Sequence, residues 1–387
     1  MARPLVELYQ SQLSEAQGNV DQALKKTAVM TGKLIEKGVA KPEDVNIRDC
    51  FEVFVTPLIE AAGKDFNPMY DNYDEIREEV VSSQFPYATN KLINPTMIGQ
   101  YDLDVAPIMP LVTETVSNHP DENIAGTTAG DSPRYTEEAM PYPESGLGEK
   151  RVTIQNFKFG HALSLTTEMV RFDQTGELLK RARNVGSRTA DVVEEFIVTR
   201  ISDTAYAEIN ESTSQAFVQD GTRRALYSSD HSAWDHQTND NLIQSGTGGV
   251  PTIGQVKSMV NLLKGQKDIK GNPVRVRPTT VFGHAQLEED FDQFFTAQEF
   301  DLNSAEKNKN RYRGRYNIIT SQFAPSTTEW FMGDFSRQFR LQWVWKPKVT
   351  VDRTGDPRRD ILVSYYSNFF MGVGAEDHRF VARNAGA

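Results

Sequence analysis

The clearest structural pattern in the sequence lies at residues 341–373, which read LQWVWKPKVTVDRTGDPRRDILVSYYSNFFMGV. Apolar side chains fall on odd-numbered positions on both sides of a central segment, residues 353–359, that is rich in Gly, Asp and Pro. Alternation with a period of two is typical of β-strands that bury one face. A segment of that composition is typical of turns. The stretch therefore predicts a long β-hairpin.

A second pattern predicts a long amphipathic helix. Apolar side chains recur every three or four residues between 178 and 201, as in a helix that buries one side. If the helix runs from about 175 to 207, it is roughly 50 Å long at 1.5 Å per residue. Gly186 lies in its middle, where glycine costs about 1 kcal/mol relative to alanine. The glycine predicts either close packing against another element or a bend.

Between the helix and the hairpin, helical and strand patterns alternate. The predicted helices are 253–263 and 287–295, and the predicted strands are 279–282, 316–320 and 328–332. This alternation predicts a mixed domain over residues 210–335. The simplest architecture pairs the long helix with the hairpin in one domain and treats 210–335 as an insertion. The fold class is then α+β.

The segment before the long helix has a different character. Residues 86–150 contain many prolines and no sustained period, which predicts an extended arm and a loop that packs on another surface. Residues 114–149 carry eight acidic side chains and one basic one, Arg134. From 152 to 165 the apolar residues alternate, with a change of phase between 154 and 157. A strand with a bend or bulge at that point is expected.

The N-terminal region is predicted to be helical and polar. Apolar residues recur at spacings of three and four between 5 and 40. Residues 1–90 contain 9 basic and 15 acidic side chains, a net charge of −6. We interpret this region as a polar helical appendage more than a core.

Overall composition excludes several classes of protein. The 387 residues include 42 basic and 53 acidic side chains, a formal net charge of −11, which argues against sequence-specific DNA binding as the main role. No stretch approaches the roughly 18 to 20 apolar residues that a membrane span needs, and the chain starts without a secretory pattern. We expect the protein to act in the aqueous compartment where it is made. Cys50, the single cysteine, cannot form an internal disulfide and is predicted to be structural.

Motifs for catalysis or cofactor binding are weak. Asp230, His231, Asp235 and His236 could ligate a metal, but a polar loop is the better interpretation because no third cluster accompanies them. Residues 372–377, GVGAED, resemble half of a dinucleotide fingerprint, yet too little chain follows for the rest of that unit. No nucleophile elbow and no phosphate loop occurs. The sequence predicts no metal, no cofactor and no catalytic residues.

Charged and aromatic clusters point to binding surfaces. Five positive side chains fall within nine residues at Lys307, Lys309, Arg311, Arg313 and Arg315. They form either a phosphate-binding strip or, as we favour, a protein contact with the acidic run 114–149 of a neighbouring copy. Trp343 and Trp345 share one strand face and are predicted to be core residues rather than a ligand platform.

The order of these elements resembles the major capsid proteins of tailed bacteriophages with the Hong Kong 97-type fold, and most closely the Mu-like head subunits. The segments that carry the resemblance are 152–165 followed by TTEMV (166–170), ALYSSDH (225–231), TVFGH (280–284), WFMGDF (330–335) and FFMGVGAEDHRFVAR (369–383). The likeness extends over about residues 86–384. Each motif is loose, and their order carries the resemblance.

The resemblance implies a domain organisation. It comprises an N-terminal helical region (1–85), an N-terminal arm (86–118), an extended loop with strands (119–165), a peripheral domain with the spine helix (166–209), an inserted axial domain (210–335) and the return hairpin of the peripheral domain (336–387). In some relatives a protease removes the N-terminal segment. We expect residues 1–85 to be retained and to face the interior.

The resemblance also implies a structural function and no enzymatic activity. Copies of the chain would form hexamers and pentamers of an icosahedral shell around the double-stranded DNA genome of a phage. Expected partners are a portal, a scaffold or protease, decoration proteins and packaged DNA held by weak non-specific contacts, with no membrane. The shell would assemble in the host cytoplasm and form the virion capsid. An encapsulin-like compartment is the first alternative, and a metal-dependent hydrolase built around His231 and His236 is the second.

Contacts between subunits are predicted to join acidic and basic surfaces. The acidic candidates are Glu137, Glu138, Glu144 and Glu149. The basic candidates are Arg181, Arg183, Arg353, Arg358, Arg359, Lys307, Lys309, Arg311 and Arg313. Gly186 is the candidate bend of the spine helix.

Overall fold

The computed structural model divides into two compact units, each built from three separate stretches of chain. The first comprises Met1–Asp104, Lys158–Asp191 and Trp345–Phe370, and the second comprises Val105–Phe157, Val192–Val344 and Met371–Ala387. The structure describes residues 4–17, 19–36, 50, 53–57, 85–127, 149–166, 168–169, 177–202, 217–219, 222–224, 226–229, 240–243, 250–267, 272–297, 299–303, 306–352, 356–359 and 361–385.

Helices occur in both units. They are α1 (Pro4–Glu15), α2 (Val20–Glu36), α3 (Phe85–Val105), α4 (Glu177–Ser202), α5 (Ile253–Lys264), α6 (Glu288–Thr296) and the short α7 (Phe335–Gln338). The predicted long helix is confirmed as α4, which has 26 residues and is about 39 Å long. Within the described residues, no helix is both long and apolar enough to cross a membrane.

The strands are β1 (Thr113–Val116), β2 (Asp121–Thr127), β3 (Glu149–Gln155), β4 (Phe157–Thr166), β5 (Phe217–Gln219), β6 (Thr222–Arg224), β7 (Leu242–Ile243), β8 (Thr280–His284), β9 (Glu299–Asn303), β10 (Glu306–Lys309), β11 (Asn317–Ser321), β12 (Trp330–Gly333), β13 (Phe339–Asp352), β14 (Ile361–Ala375) and β15 (Val381–Asn384). The predicted hairpin is confirmed, because β13 and β14 are neighbours in a four-stranded sheet of order β1-β13-β14-β4.

The core of the first unit brings together segments that are far apart in sequence. Its buried residues come from α1, α2, α3, the start of α4, the end of β4 and the start of β14, together with residues 50–55: Leu5, Leu24, Ala28, Ile35, Cys50, Val53, Phe54, Val55, Phe85, Ala88, Leu92, Ile93, Leu165, Leu178, Leu179, Ala182, Leu362, Val363 and Tyr365. Cys50 is fully buried, in line with a structural role.

The interpretation of the N-terminal helices as a polar appendage is wrong. Leu5 and Leu24 are 3% and 2% exposed and lie in the core of the first unit. Their neighbours Lys25 and Lys26 are exposed on the other face of α2. Net charge counts every side chain, whereas packing depends on the apolar face alone, so a helix with many charges can still form part of a core.

The extended conformation expected after residue 86 is also wrong, because residues 85–105 form helix α3. Pro86 occupies the first turn, where the missing N–H of proline costs nothing. Pro95 lies inside the helix and removes one backbone hydrogen bond. Beside it, the Thr96 hydroxyl donates to the Leu92 carbonyl at 2.7 Å. The buried side chains Phe85, Ala88 and Leu92 have helical spacing, a signal that the number of prolines obscured.

The second unit is centred on a five-stranded sheet of order β11-β8-β12-β15-β7. β8 runs parallel to β11 and antiparallel to β12, while β15 runs antiparallel to β12 and parallel to β7. Helices α5 and α6 cover the sheet through Val256, Met259, Phe291 and Phe295, which are buried with Trp330. This sheet contains the TVFGH and WFMGDF segments as its central strands.

The last strand lies where the sequence did not place it. The domain boundaries expected from sequence group residues 336–387 with the return hairpin, but β15 pairs inside the sheet of the second unit. The side-chain amide of Asn241 donates to the carbonyls of Leu226 and His378, both at 2.8 Å, and so ties the segment before β15 to this unit. Strand pairing over such sequence separations has no local signal.

Replacing Leu24 by alanine tests whether α2 belongs to the core. Because Leu24 is 2% exposed, Leu24→Ala is expected to lower the free energy of unfolding by about 2–4 kcal/mol, as is usual for a leucine removed from a packed core. Lys25→Ala, one residue away on the exposed face, is the matched control and is expected to change it by less than about 0.5 kcal/mol. Equal effects of the two substitutions in thermal or denaturant unfolding would contradict the packing of α2.

Candidate functional site

The candidate functional sites among the described residues are charged surfaces. Among those residues, no group of three or more His, Cys, Asp or Glu side chains could hold a metal ion. The histidine-containing loop, with Asp230, His231, Asp235 and His236, lies outside the described part of the chain. The sites predicted from sequence fall on four places. They are the base of the acidic loop, by which we mean residues 128–149, the arginines of the first unit, the middle of α4, and the turn after β10.

The acidic loop starts and ends on a two-stranded ribbon in the second unit. β2 pairs antiparallel with β3 without interruption, from Asp121 opposite Gln155 to Thr127 opposite Glu149. Glu149 is therefore the first residue of the returning strand. Glu137, Glu138 and Glu144 lie outside the described residues. The ribbon brings Thr127 and Glu149, the two residues that flank segment 128–148, side by side.

Asn156 marks the predicted bend between β3 and β4. Its backbone N–H donates to the Pro120 carbonyl at 2.8 Å, and its side-chain amide donates to the His119 carbonyl at 2.7 Å. Gly372 of β14 lies against it, since a Cβ at 372 would be 2.3 Å from the Asn156 side-chain oxygen. The first glycine of the GVGAED segment, Gly372, is thus explained by packing at the base of the ribbon.

The basic candidates of the first unit lie on two elements. Arg181 and Arg183 lie on α4. Arg181 is exposed, and its guanidinium lies 3.7 Å from the Met169 sulfur. Arg183 is half-buried. Arg358 and Arg359 are exposed in a short 3-10 turn, Pro357–Arg359, and Arg359 lies 3.8 Å from the Asp356 carboxylate. Arg353 lies outside the described residues. The structure thus places four of these five arginines in one unit.

The strand segments that belong to the first unit also carry a groove that the sequence did not predict. Its volume is about 410 Å³, and it is lined by residues of β4, β13 and β14: Lys158, Gly160, His161, Ala162, Thr350, Tyr366, Ser367 and Asn368. Tyr366 is 42% exposed. Two of the four lining residues of β4 are ionisable, and no carboxylate lines the groove among the described residues. The groove is therefore a neutral-to-basic surface.

Trp345 lies beside this groove and is not a core residue, although Trp343 is, at 3% exposed. The ammonium groups of Lys348 and Lys158 lie 4.9 Å and 5.9 Å from the centre of the Trp345 ring, within the range of a cation–π contact. The indole N–H donates to the side-chain oxygen of Asn368 at 3.0 Å. The prediction for Trp345 is thus wrong. The signal in the sequence was that Lys346 and Lys348 lie within three residues of Trp345.

Gly186 lies in a close contact between α3 and α4. A Cβ at this position would be 2.3 Å from the carbonyl oxygen of Met97 and 3.2 Å from Cβ of Gln100. Real Cβ atoms do not approach backbone so closely, so only glycine allows the two helices to pack at this distance. α4 is helical on both sides of Gly186. Of the two reasons predicted for this glycine, the structure provides close packing.

The basic candidates of the second unit lie on and after β10. Lys307 and Lys309 are paired with β9 through their backbone. Arg311, Arg313 and Arg315 follow in a turn and are exposed. Burial raises the pKa of Tyr316 at the end of this turn; Tyr312 adds to the increase and the charge of Arg315 opposes it. The basic run predicted from sequence is therefore an exposed cationic surface at least at its three arginines.

Comparisons with known proteins agree on one class. A family model described as phage capsid protein matches residues 150–384. The capsid chain of a native GTA particle is similar in structure, with a TM-score of 0.50 at 12% sequence identity, over 73% of this chain and 90% of the other. A chain from Microbacterium phage Oxtober96 also has a TM-score of 0.50, at 9% identity, over 73% of this chain and 91% of the other. No curated protein is similar enough to count as a match.

Gly186→Ala is expected to destabilise the first unit. Its added methyl group meets the Met97 carbonyl of α3, and overpacking of this kind costs about 1–3 kcal/mol, which exceeds the gain in helix propensity of about 1 kcal/mol. Gly99→Ala is a matched control on α3, because nothing lies within 4 Å of a Cβ at that position. Unfolding measurements should show a lower stability for the first variant and an unchanged or higher one for the second. A stabilised Gly186→Ala protein would contradict the contact.

Proposed function

The chain belongs to the phage capsid protein family, and from this premise we propose how its surfaces build a shell. Its function is that of a major capsid shell protein of a phage, a structural protein of the virion capsid, with the Hong Kong 97-type fold. The observation that carries this assignment is the extent of the family match, which includes α4, the five-stranded sheet and the hairpin β13–β14. The encapsulin-like and hydrolase alternatives are not favoured.

We propose more specifically that the shell is icosahedral, built of hexamers and pentamers, and encloses double-stranded DNA. The most similar group would be the Mu-like head subunits. Assembly would take place in the host cytoplasm with a portal, a scaffold or protease and decoration proteins. The net charge of −11 supports weak, non-specific contact with the packaged DNA, because a negative protein does not hold phosphates tightly. Assembly, rather than catalysis, is the role that we propose.

We propose that the N-terminal region stays on the chain in the assembled shell. The support is the burial of Leu5, Leu24 and Ala28 in the core of the first unit. Removal of α1 and α2 would expose the side chains of α3 and α4 that these helices cover. Apolar burial contributes about 25 cal/mol for each Å² removed from water, so such a loss is costly to the unit.

Electron microscopy of the purified protein tests the function. We expect closed shells or capsomers of megadalton mass, and intact-mass measurement of their subunits is expected to give 43.6 kDa, the mass of the full sequence. A chain that stays monomeric under all conditions and shows an enzymatic activity would overturn the assignment. Shells whose subunits lack α1 and α2 would overturn only the retention of the N-terminal region.

We propose that the acidic loop of one subunit contacts basic surfaces of a neighbouring subunit. The ribbon β2–β3 supports this, because it brings Thr127 opposite Glu149 and the segment between them carries Glu137, Glu138 and Glu144. The receiving surface would comprise Arg181, Arg183, Arg353, Arg358 and Arg359. We add to it the groove beside Trp345, where Lys158 and Lys348 lie over an aromatic ring.

Charge reversal tests this contact. Arg358→Glu combined with Arg359→Glu is expected to reduce shell yield several-fold, because both arginines are exposed and would then repel the acidic loop. Adding Glu137→Arg and Glu138→Arg is expected to restore the yield. Lys25→Glu with Lys26→Glu, exposed on α2, is the control. The wild-type yield should also fall as salt rises from 0.05 to 0.5 M, since salt screens exposed charges. Indifference to salt and to both reversals would count against the contact.

We also propose that α4 changes its curvature at Gly186 between the precursor and the mature shell. The support is the glycine itself, which weakens a helix locally, and its place in a helix of 26 residues. The Gly186→Ala variant described above bears on this point as well. If it assembles into precursors that expand normally, the proposal of a bend is wrong, whatever its effect on stability.

A further inference from the structure

The turn after β10 is built onto one end of helix α6. We call residues 310–316 the basic turn. The side-chain amide of Asn310, which is 9% exposed, donates to the carbonyls of Phe294 and Ala297 at 2.7 and 3.0 Å. The backbone N–H of Gly314 donates to the Phe295 carbonyl at 3.1 Å. These bonds satisfy carbonyls at the C-terminal end of α6 that have no partner within the helix, so the basic turn is fixed to that end.

Aromatic contacts hold the same turn from a second side. Tyr312 stacks with Phe294 at 6.5 Å between ring centres, and Tyr316 meets Phe295 edge to face at 5.6 Å. Gly314 has a φ of +64°, a backbone conformation that other residues rarely adopt. With its polar and aromatic groups turned onto α6, the basic turn leaves Arg311, Arg313 and Arg315 exposed.

The opposite end of α6 is acidic. Glu288, Glu289 and Asp290 form its first turn, and the two glutamates are exposed. A Thr320 hydroxyl approaches the Glu288 carboxylate at 3.4 Å. We call these three residues the acidic pole. Since α6 has nine residues, the acidic pole and the basic turn are separated by about 13 Å along the helix.

The two charged ends do not neutralise each other. Within the described residues, no ion pair joins the acidic pole to Arg311, Arg313 or Arg315. Charges about 13 Å apart attract roughly a third as strongly as charges 4 Å apart, and the separation exceeds the screening length of about 8–10 Å in physiological salt. The negative charges at the N-terminal end of α6 and the positive charges at its C-terminal end both interact favourably with the helix dipole. The two groups are nevertheless too far apart to form ion pairs with each other.

We propose that the basic turn of one copy of this chain binds the acidic pole of α6 in a second copy. This inference rests on the proposed function, because it names a contact between subunits of the shell. The contact is head to tail, because it joins two different patches of the second unit, one from each copy. A contact of this kind, repeated by rotation, closes into a ring of subunits.

Sequence alone favours the acidic loop of a neighbouring copy as the partner of the basic run, but the acidic pole of a second copy fits the basic turn better than that loop or DNA does. DNA would bring phosphates within about 13 Å of an acidic pole on the same unit, and the chain as a whole carries a charge of −11. The acidic loop is a protein partner, but its glutamates are spread over a long segment of sequence, whereas the acidic pole is held on one helical turn. Charges that one helical turn holds in place lose little conformational freedom on binding.

Charge reversal in the full-length chain tests the contact, with shells quantified by sedimentation. Arg311→Glu with Arg313→Glu is expected to lower shell yield by at least about tenfold, because opposite charges across the contact become like charges. Glu288→Arg with Glu289→Arg is expected to do the same. The quadruple variant, in which the charges of both ends are reversed, is expected to recover a shell yield within about a factor of three of the wild-type yield. Arg275→Glu with Arg277→Glu, two exposed arginines elsewhere in the same unit, is the matched control and should leave the yield unchanged.

Other outcomes overturn the proposal in distinguishable ways. If Glu137→Arg with Glu138→Arg rescues the basic-turn variant and reversal of the acidic pole does not, the partner is the acidic loop. If the basic-turn variant assembles normally but its particles contain less DNA, the partner is nucleic acid. Thermal unfolding of each variant shows whether a low yield reflects a folding defect. If a double variant is destabilised, recovery of the shell yield in the quadruple variant still supports the contact, and failure to recover contradicts it. A wild-type chain that forms no shells refutes the proposed function itself.

Discussion

The first unit depends on burial of one face of the N-terminal half of α4. Leu178, Leu179 and Ala182 are buried there among residues of α1, α2, α3 and β14, which come from sequence positions as far apart as Leu5 and Tyr365. Helices can pack this closely only where side chains are small, and Gly186 leaves out a Cβ that would meet the backbone of α3. The polar contact between the Thr89 hydroxyl and the Tyr365 hydroxyl lies in the same core and joins α3 to β14. The unit therefore rests on non-local apolar contacts.

Local patterns predicted the elements with strong periods, while elements set by distant partners were missed. The hairpin and α4 follow from apolar residues at spacings of two and of three to four, and the break at Asn156 follows from a change of phase. Helix α3 was missed because Pro95 argues against a helix locally, although Phe85, Ala88 and Leu92 have helical spacing. The pairing of β15 with β12 and β7 has no local signal at all.

The candidate surfaces were predicted less completely than the fold, because a surface can also combine residues that are far apart in sequence. Charge runs in the sequence identified Arg311 and Arg313, which are exposed, and Arg358 and Arg359, which are exposed as well. The groove beside Trp345 was missed, because its lining residues come from β4, β13 and β14, and β4 is far from the other two in sequence. The acidic pole of α6 is not among the contact surfaces predicted from sequence. Its relation to the basic turn becomes visible only through the hydrogen bonds of Asn310.

Weak contacts of this kind suit a protein that works only as a repeated unit. An exposed ion pair contributes about 0–1 kcal/mol, so neither the acidic loop nor the basic turn would hold two isolated subunits together strongly. In a closed shell every subunit makes each contact in both directions, and the contributions act together because a subunit leaves only when all of its contacts break. The same weakness lets an incorrectly placed subunit dissociate before the shell closes. Strong single contacts would trap such errors, so a surface of many modest, salt-sensitive contacts is the arrangement expected of a shell that must form correctly from identical copies.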